Sequence, residues 1–225
     1  WQTVLNVFTT VSTEEKEVLK NDTEKALLKL LLDSNNPNSL KTMVGKAREN
    51  ARGVQDHITK EVWENVNQLY HNVNSIQVDT AMNSTNIMPI LNDLELGCLL
   101  YNGVADTTMP RGLGWNFMNL GRYIERTILT IDICNSSFHN IQYNLSDEKD
   151  ILQWRPLLLA LSGYELHLKT YRSDNYNLNV LDQVLFNKNF TRSVIYTLKR
   201  IKKYYYSTID DMTEMETMAL TKQLG

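Results

Sequence analysis

The stretch that decides the fold is GWNFMNLGRYIERTILTIDI, which spans residues 114–133. Its apolar residues recur at steps of three and four and so share one face of a single α-helix. They are Phe117, Leu120, Ile124, Ile128 and Ile131. Residues 121–126 read GRYIER, a dense charged segment whose glycine costs about 1 kcal/mol relative to alanine in a helix interior. The stretch predicts a long helix and raises the question of whether its charges form a site or hold the fold together.

Length and composition indicate one all-α domain. The chain has 225 residues and 42% hydrophobic content, which is enough for a single large body with a substantial core. Its nine glycines and four prolines are few, and long periodic runs replace the turn clusters that a sheet protein would show. We therefore expect a helical bundle that occupies residues 1–225 as one domain.

Charge and motif content exclude several function classes. The net charge is −3 and basic residues are scattered among acidic ones, so we expect no nucleic-acid partner. The basic run KRIKK at 199–203 is interpreted as a solvated helix face. No run reaches the apolar length of a membrane span and no signal peptide is visible, so we expect a cytoplasmic protein without membrane contact. Cys98 and Cys134 form neither a disulfide framework nor a metal motif, and we expect no metal and no cofactor.

A second strongly periodic stretch runs from residue 36 to about 73. Asn36 and Pro37 suit the N-cap and first turn of a helix, so a helix is predicted to start there. A seam at steps of three and four follows, typical of a helix packed in a bundle. Its members are Val44, Ala47, Ala51, Val54 and Ile58.

A ladder of charges lies along the same stretch. Glu49 precedes Arg52 by three residues and Asp56 follows it by four, so both carboxylates can reach its guanidinium on a helix. Arg48 adds a second guanidinium beside Glu49. A solvated helix face is the simplest interpretation of such a ladder.

The remaining pattern predicts further helices and the loops between them. The helices are expected at 87–101, 154–171, 178–186, 191–206 and from about 210, and the loops at 83–86, 103–114 and 142–150. Cys98 lies among leucines and is predicted to be a small core residue.

A faint internal repeat divides the chain into two halves. Without gaps, residues 30–50 align with 184–204, and upstream of these segments Trp1 aligns with Trp154. We therefore expect a bundle built from two pseudo-repeated halves, at about 1–80 and 114–206. Because the GRYIER helix stands just before the second copy, a similar helix is expected just before the first, ahead of residue 1.

Three segments in combination carry a family resemblance. They are ARENARGVQDHITKEVWENVNQLY at 47–70, GVADTTMPRGLGWNF at 103–117 and LGRYIER at 120–126. Together they resemble the alpha-E domain family, a bacterial all-helical family with a Gly-Arg-x-x-Glu-Arg motif. The likeness covers nearly the whole chain. Family members usually begin with another such motif helix, which agrees with the helix expected ahead of residue 1.

The resemblance also implies a role. Relatives in this family are typically encoded beside, or fused to, a circularly permuted ATP-grasp protein and a transglutaminase-like protease. We therefore expect an accessory helical module that binds an ATP-grasp-type protein and serves amide-bond or peptide-modification chemistry. A transglutaminase-like protein is a further candidate partner, and a structural homo-oligomer is an alternative role.

Two interpretations of the charged residues stay open, and the first is a structural clamp. On a helix, Arg122, Glu125 and Arg126 lie close together, and Glu49 and Arg52 could complete a network with them. Inside a bundle, removing one partner from such a network would cost about 3–5 kcal/mol because an ion is left unpaired. The glycine at 121 would then let a facing helix or aromatic ring approach. We favour this interpretation.

The second interpretation is an enzyme or anion-binding protein in its own right. Arg122, Arg126 and Arg48 would bind a carboxylate or phosphate, and Glu125 or Glu49 would orient them or act as a base. The sequence shows no phosphate loop, no nucleophile motif and no pair of His or Cys at ligand spacing. On sequence alone we therefore expect a non-catalytic protein.

Overall fold

The computed structural model describes residues 1–8, 10–76, 84–146, 149–172 and 174–224, and the regular structure of that part is entirely helical. The predicted all-α class is confirmed. The helices are α1 Gln2–Val7, α2 Thr13–Leu19, α3 Thr23–Leu31, α4 Leu40–Gly53, α5 Lys60–Asn74, α6 Ser84–Thr108, α7 Leu113–His139, α8 Ile151–Ala160, α9 Tyr164–Thr170, α10 Tyr176–Leu185 and α11 Val194–Leu224. A 3₁₀ segment, Gln55–His57, lies between α4 and α5. None of the described helices is both long and apolar enough to cross a membrane.

The chain divides into two compact units, Trp1–Pro110 and Arg111–Gly225. The first unit contains α1 to α6, and there α5 packs against both α4 and α6. The second unit contains α7 to α11, and α11 packs along α7. The boundary between the units falls just before residue 114, where the second repeat is predicted to begin.

The stretch from residue 36 to 73 is two helices. α4 begins later than predicted because the Ser39 hydroxyl accepts a hydrogen bond from the backbone N–H of Thr42 and caps the first turn. α4 ends at Gly53, and α5 starts anew behind its own N-cap, Thr59. The predicted seam is therefore wrong beyond its first part, and of its five residues Val44 alone is buried.

Three other boundaries differ from the prediction. α6 continues through residues 103–108, which were predicted as loop, and ends shortly before Pro110. It also begins inside the loop predicted at 83–86, of which residue 83 lies outside the described part. The helix predicted at 154–171 is broken, because Ser162 adopts a positive φ of 54° and the N–H of Gly163 bonds to a carbonyl of α8. In contrast, α11 runs without interruption past 206–210.

Helix α7 confirms the helix predicted for the opening stretch, and its buried face is largely polar. Asn119, Tyr123, Thr127 and Thr130 are buried. The hydroxyl of Thr127 donates to that of Thr197 on α11 at 2.8 Å. Small hydroxyl-bearing residues let the two helices approach and satisfy their own polar groups there. The apolar face that the sequence identified consequently lies on the other side.

Buried apolar residues form clusters in both units. In the second unit, nine buried residues form one cluster that includes Phe138, Trp154 and Phe190. In the part of the first unit that the structure describes, one cluster of four buried residues lies around Leu5 and one of three around Val44.

Two loops, at 32–43 and 186–197, share a hydrogen-bond pattern at an offset of 154 residues. In each, an Asp or Asn side chain accepts from the N–H two residues on, and a serine hydroxyl accepts from the N–H three residues on. The pairs are Asp33–Asn35 and Ser39–Thr42 in the first loop, and Asn187–Asn189 and Ser193–Tyr196 in the second. This recurrence supports the predicted repeat at these loops, and repetition of the complete halves stays a prediction.

Candidate functional site

The first three predicted site residues lie on α4 in the first unit. Arg48 is held against α5: its Nε donates to Oδ1 of Asn67 at 2.7 Å, and its guanidinium carbon lies 4.8 Å from the ring centroid of Tyr70. Its Nη1 also lies 3.1 Å from Oε1 of Glu49. These contacts stack the cation on an aromatic ring and anchor it to a neighbouring helix.

The rest of the predicted ladder is solvated. Glu49 pairs with Arg52 at 3.5 Å, and both side chains are exposed, so this ion pair contributes little to stability. Asp56 is exposed in the 3₁₀ segment. Because α4 has already ended at Gly53, the helical spacing that would have brought Asp56 to Arg52 is lost.

The other three predicted residues lie on α7 in the second unit, and the Glu-Arg dipeptide points in two directions. Arg126 is half-buried, with its guanidinium carbon 5.3 Å from the ring centroid of Tyr123. Arg122 lies 5.1 Å from the same ring and donates from Nη2 to the Tyr123 hydroxyl at 3.3 Å. Glu125 is exposed. Neighbouring residues on a helix are about 100° apart, so one can face α11 while the other faces solvent.

A matching row on α11 completes this arrangement, and the sequence analysis did not identify it. Tyr196, Arg200 and Tyr204 follow each other on α11 at steps of four and so share one face. Arg192 lies in the turn just before α11, near Arg126. Tyr204 stacks on Tyr123 with centroids 5.9 Å apart, and Arg200 donates to the Tyr196 hydroxyl at 2.8 Å. We call Arg122, Tyr123, Arg126, Arg192, Tyr196, Arg200 and Tyr204 the Arg–Tyr cluster. The four-residue spacing was the available signal.

Burial and neighbouring groups shift the pKa of two arginines in the cluster. Burial lowers the pKa of Arg126, and the neighbouring guanidinium groups of Arg122 and Arg192 lower it further. The hydrogen bond to Tyr196 raises the pKa of Arg200. Stacked tyrosines and nearby arginines together make a rigid, positively charged surface within the second unit.

The explanation predicted for Gly121 is wrong. This glycine is exposed, and a Cβ built on it would meet no atom within 4 Å. No helix or ring of the described structure uses the space that the missing side chain leaves. Gly121 therefore carries the propensity cost of glycine in a helix without a packing reason.

The six predicted residues thus fall into two groups of three, one in each unit. Within the first group the charges are paired or packed on aromatic rings, and within the second the arginines pack on Tyr123. Joint action of the two groups in one network stays a prediction.

The two cysteines lie in different environments. Cys134 is buried, and burial raises the pKa of its thiol to about 11, which keeps it protonated at neutral pH. It lines an apolar cavity of about 260 Å³ with Phe138 and Leu181 among its neighbours. Cys98 is exposed, so its predicted place in the core is wrong. Among the described residues, no group of three or more His, Cys, Asp or Glu is placed to hold a metal ion.

Comparison with known proteins gives a family match and distant relatives. The model of the Alpha-E family, described as "a predicted alpha-helical domain with a conserved ER motif", matches residues 1–223. An uncharacterised protein of Mycobacterium bovis is 22% identical over 179 residues, covering 78% of this chain and 20% of the relative. Two uncharacterised proteins of Mycobacterium tuberculosis match over the same shares at 22% and 21% identity. The chain spans about a fifth of the length of these curated relatives. No solved structure matches.

Proposed function

The chain belongs to the Alpha-E family, and on that premise we propose that it is a non-catalytic helical module that binds an ATP-grasp-type protein. The class of partner comes from the family resemblance. The observation that carries the binding role is the exposed apolar face of α7.

This face is a continuous row on one helix. Phe117, Ile124, Ile128 and Ile131 are each between 42% and 53% exposed, and partly exposed Leu120 lies among them. From its first to its last residue the row extends about 21 Å along the helix axis. Single exposed apolar residues are normal on any protein, whereas a row of this length is typical of a surface that contacts another protein.

The other side of α7 explains why the row is free to bind. The helix is already fixed to α11 through its polar face, by bonds such as that between Thr127 and Thr197. The apolar row is therefore not needed to hold α7 in place. An apolar helix face presented in this way suits a groove or a helix of a partner.

The lengths of the relatives support a protein as the occupant. In each mycobacterial relative the matched part makes up about a fifth of the polypeptide, so the module has further protein attached to it there. We infer that such a module uses an exposed apolar face to contact protein around it. A separate ATP-grasp-type partner would use the same surface here, and a transglutaminase-like protein is the second candidate.

The test is a double substitution in the row, Ile124→Ser with Ile128→Ser. Both side chains are exposed, so we expect circular dichroism and thermal unfolding to stay unchanged. Affinity for an ATP-grasp-type protein, measured by isothermal titration calorimetry, should fall at least tenfold. The matched control is Leu152→Ser with Leu178→Ser, two exposed leucines elsewhere in the second unit, which should leave affinity intact.

Three results would count against the proposal. The first is no binding by the unsubstituted chain, and the second is equal loss in the row variant and its control. The third is a sedimentation experiment in which the unsubstituted chain is a dimer and the row variant is a monomer. This result would assign the face to a second copy of the chain and favour the structural homo-oligomer.

A further inference from the structure

Helix α11 carries its charges in two separate blocks. Residues 199–203 contain four basic residues and no acidic one, and residues 210–216 contain four acidic residues and no basic one. Residues 204–209, between the blocks, are uncharged. We propose that α11 is an interaction surface for a second copy of this chain, in which the two α11 helices pack antiparallel.

The spacing of the charges does not stabilise α11 itself. Opposite charges three or four residues apart attract each other on one helix. Within residues 199–216, however, no lysine or arginine stands at either spacing from an aspartate or glutamate. The centres of the two blocks lie about 18 Å apart along the helix axis, where salt screens their attraction. The pattern therefore favours a contact with another molecule.

Most of the side chains in the blocks are accessible to such a molecule. The exposed ones are Lys199, Lys202, Lys203, Asp210, Glu214 and Glu216. Arg200 and Asp211 are less exposed, and they bond to Tyr196 and Asn116 respectively. The blocks can therefore meet a partner without disturbing the contacts of α11 within the second unit.

An exposed apolar row accompanies the blocks on α11. Leu198, Tyr205, Ile209 and Met212 are between 41% and 54% exposed. They lie within about 60° of one another around the helix, and the row extends about 21 Å along its axis. The row lies about a third of a turn away from Tyr204, which is buried where α11 packs on α7. This row supplies the apolar contact, and the charges beside it select the partner.

The order of the charges selects a second copy of the chain. When two α11 helices cross antiparallel at Ser207, midway between the blocks, the basic block of each copy meets the acidic block of the other. Tyr205 of one copy then lies opposite Ile209 of the other, because each is two residues from Ser207. A parallel pair would set like charges against each other, which is unfavourable. The same patch thus serves both copies, as in a dimer with two-fold symmetry.

The experiment is sedimentation equilibrium of the 225-residue chain. We expect a reversible monomer–dimer equilibrium that weakens at least tenfold in about 1 M sodium chloride, where the screening length is about 3 Å. The basic block is reversed by Lys199→Glu, Lys202→Glu and Lys203→Glu together, and the acidic block by Asp210→Lys, Glu214→Lys and Glu216→Lys. Each triple variant should weaken the dimer at least tenfold, because blocks of like charge then meet. All six positions are exposed, so circular dichroism should stay unchanged.

Recombining the blocks tests the antiparallel arrangement. The two triple variants mixed in equal amounts should form a heterodimer, because both blocks are acidic in one α11 and basic in the other. The variant with all six substitutions has complementary blocks again and should form a homodimer as tight as that of the unsubstituted chain. The control is Lys46→Glu with Lys169→Glu and Lys188→Glu, at exposed positions outside α11. It changes the net charge as much as reversal of the basic block does and should keep the dimer.

Four results would overturn the proposal. An unsubstituted chain that stays monomeric assigns α11 to a different protein, and equal weakening in the control attributes the effect to net charge. A monomeric variant with all six substitutions excludes the antiparallel contact. The variant Ile124→Ser with Ile128→Ser lies outside α11 and should keep this dimer, so a dimer that this variant disrupts belongs to the apolar face of α7 instead. Failure of the α11 contact is therefore distinguishable from failure of the proposed function.

Discussion

Two corresponding helix contacts, between α2 and α3 in the first unit and between α9 and α10 in the second, are made by different kinds of side chain: charged in the first and neutral in the second. In the first unit, Lys29 on α3 pairs with Glu15 on α2 at 2.9 Å and with Asp33 at 3.0 Å. In the second unit, Gln183 on α10 lies 154 residues after Lys29, and its Oε1 is 2.8 Å from Nδ1 of His167 on α9. We call these the charged contact and the neutral contact.

Burial accounts for the difference. The charged contact is partly exposed, whereas His167 and Gln183 are buried in the unit that has the nine-residue apolar core. An ion pair there would lose more solvation than its attraction returns, whereas an imidazole and an amide avoid that cost. Nε2 of Gln183 donates to the Gly163 carbonyl oxygen at 2.8 Å, so its Oε1 accepts and His167 carries its proton on Nδ1. Positions 29 and 183, which correspond in the repeat, thus hold a charged and a neutral side chain respectively. How deeply the position is buried decides which of the two is stable there.

The largest effect is expected from Gln183→Leu. This change leaves the buried Nδ1–H of His167 without a partner and removes one of the two hydrogen bonds to the Gly163 carbonyl oxygen, which keeps its bond from the backbone N–H of His167. An unpaired buried donor costs about 1–3 kcal/mol and a lost hydrogen bond about 1 kcal/mol, so we expect the free energy of unfolding to fall by about 3 kcal/mol. Urea unfolding followed by far-ultraviolet circular dichroism measures it.

The matched control is Lys29→Met at the corresponding position. Its ion pairs are partly exposed and screened by salt, so the loss should stay below about 1 kcal/mol and shrink in 0.5 M sodium chloride. Equal losses for the two variants would show that burial does not separate the two contacts.

A smaller loss is expected from Gly163→Ser, which gives the second unit the residue that Ser12 provides in the first. Both residues accept the first backbone bond of the helix that follows them, from Lys16 and His167 respectively. A Cβ at position 163 would lie 2.7 Å from Nε2 of Gln183, with the Phe190 ring close behind. Overpacking of this kind costs about 2 kcal/mol.

The reciprocal change, Ser12→Gly, should cost only a few tenths of a kcal/mol. Ser12 is exposed and caps α2, and glycine is a tolerable N-cap. Thermal unfolding of both variants checks the pair. A stable Gly163→Ser variant would mean that the neutral contact is loosely packed.

The helix over 114–133 and the all-α class could be predicted from the sequence because apolar periodicity is a local property. The sequence could not be used to predict which face of α7 is buried. That face is decided by α11, through contacts such as the bond from Thr127 to Thr197, seventy residues away. Periodicity shows which residues share a side but not which side meets a partner, so the apolar row of α7 lies exposed.

Site prediction reached the arginines of α7 and missed those of α11 for the same reason. Arg200 and Tyr204 stand at helical spacing in the sequence, but nothing local indicates that they lie near Tyr123. Glu125 and Arg126 are adjacent in sequence, and a sequence motif does not show that one lies outward while the other packs on a ring. Gly121 had no packing role to find.

The smallest expected effect is a difference in acid sensitivity between the two contacts. Burial lowers the pKa of His167 from its usual 6.5, so the unfolded chain binds a proton there more readily than the folded chain. Its contribution to stability is complete above pH 6.5 and is lost as the pH falls through the lowered pKa. Hydrogen bonds, from Lys29 and from the N–H of Asn35 respectively, lower the pKa of Glu15 and Asp33 from 4.5 and 3.8. Their contribution is lost only at more acidic pH.

Stability measured by urea unfolding should therefore decline as the pH falls below 6.5, ahead of any loss at the charged contact. In His167→Gln that decline should disappear, because glutamine can still donate to Gln183 and does not titrate. His71→Gln, at an exposed position, is the control and should keep the wild-type slope. An unchanged slope in His167→Gln would place the acid sensitivity elsewhere and remove pH from the differences between the two contacts. If the decline of stability with falling pH disappears in His167→Gln and persists in His71→Gln, the acid sensitivity of the second unit comes from the burial of its neutral contact.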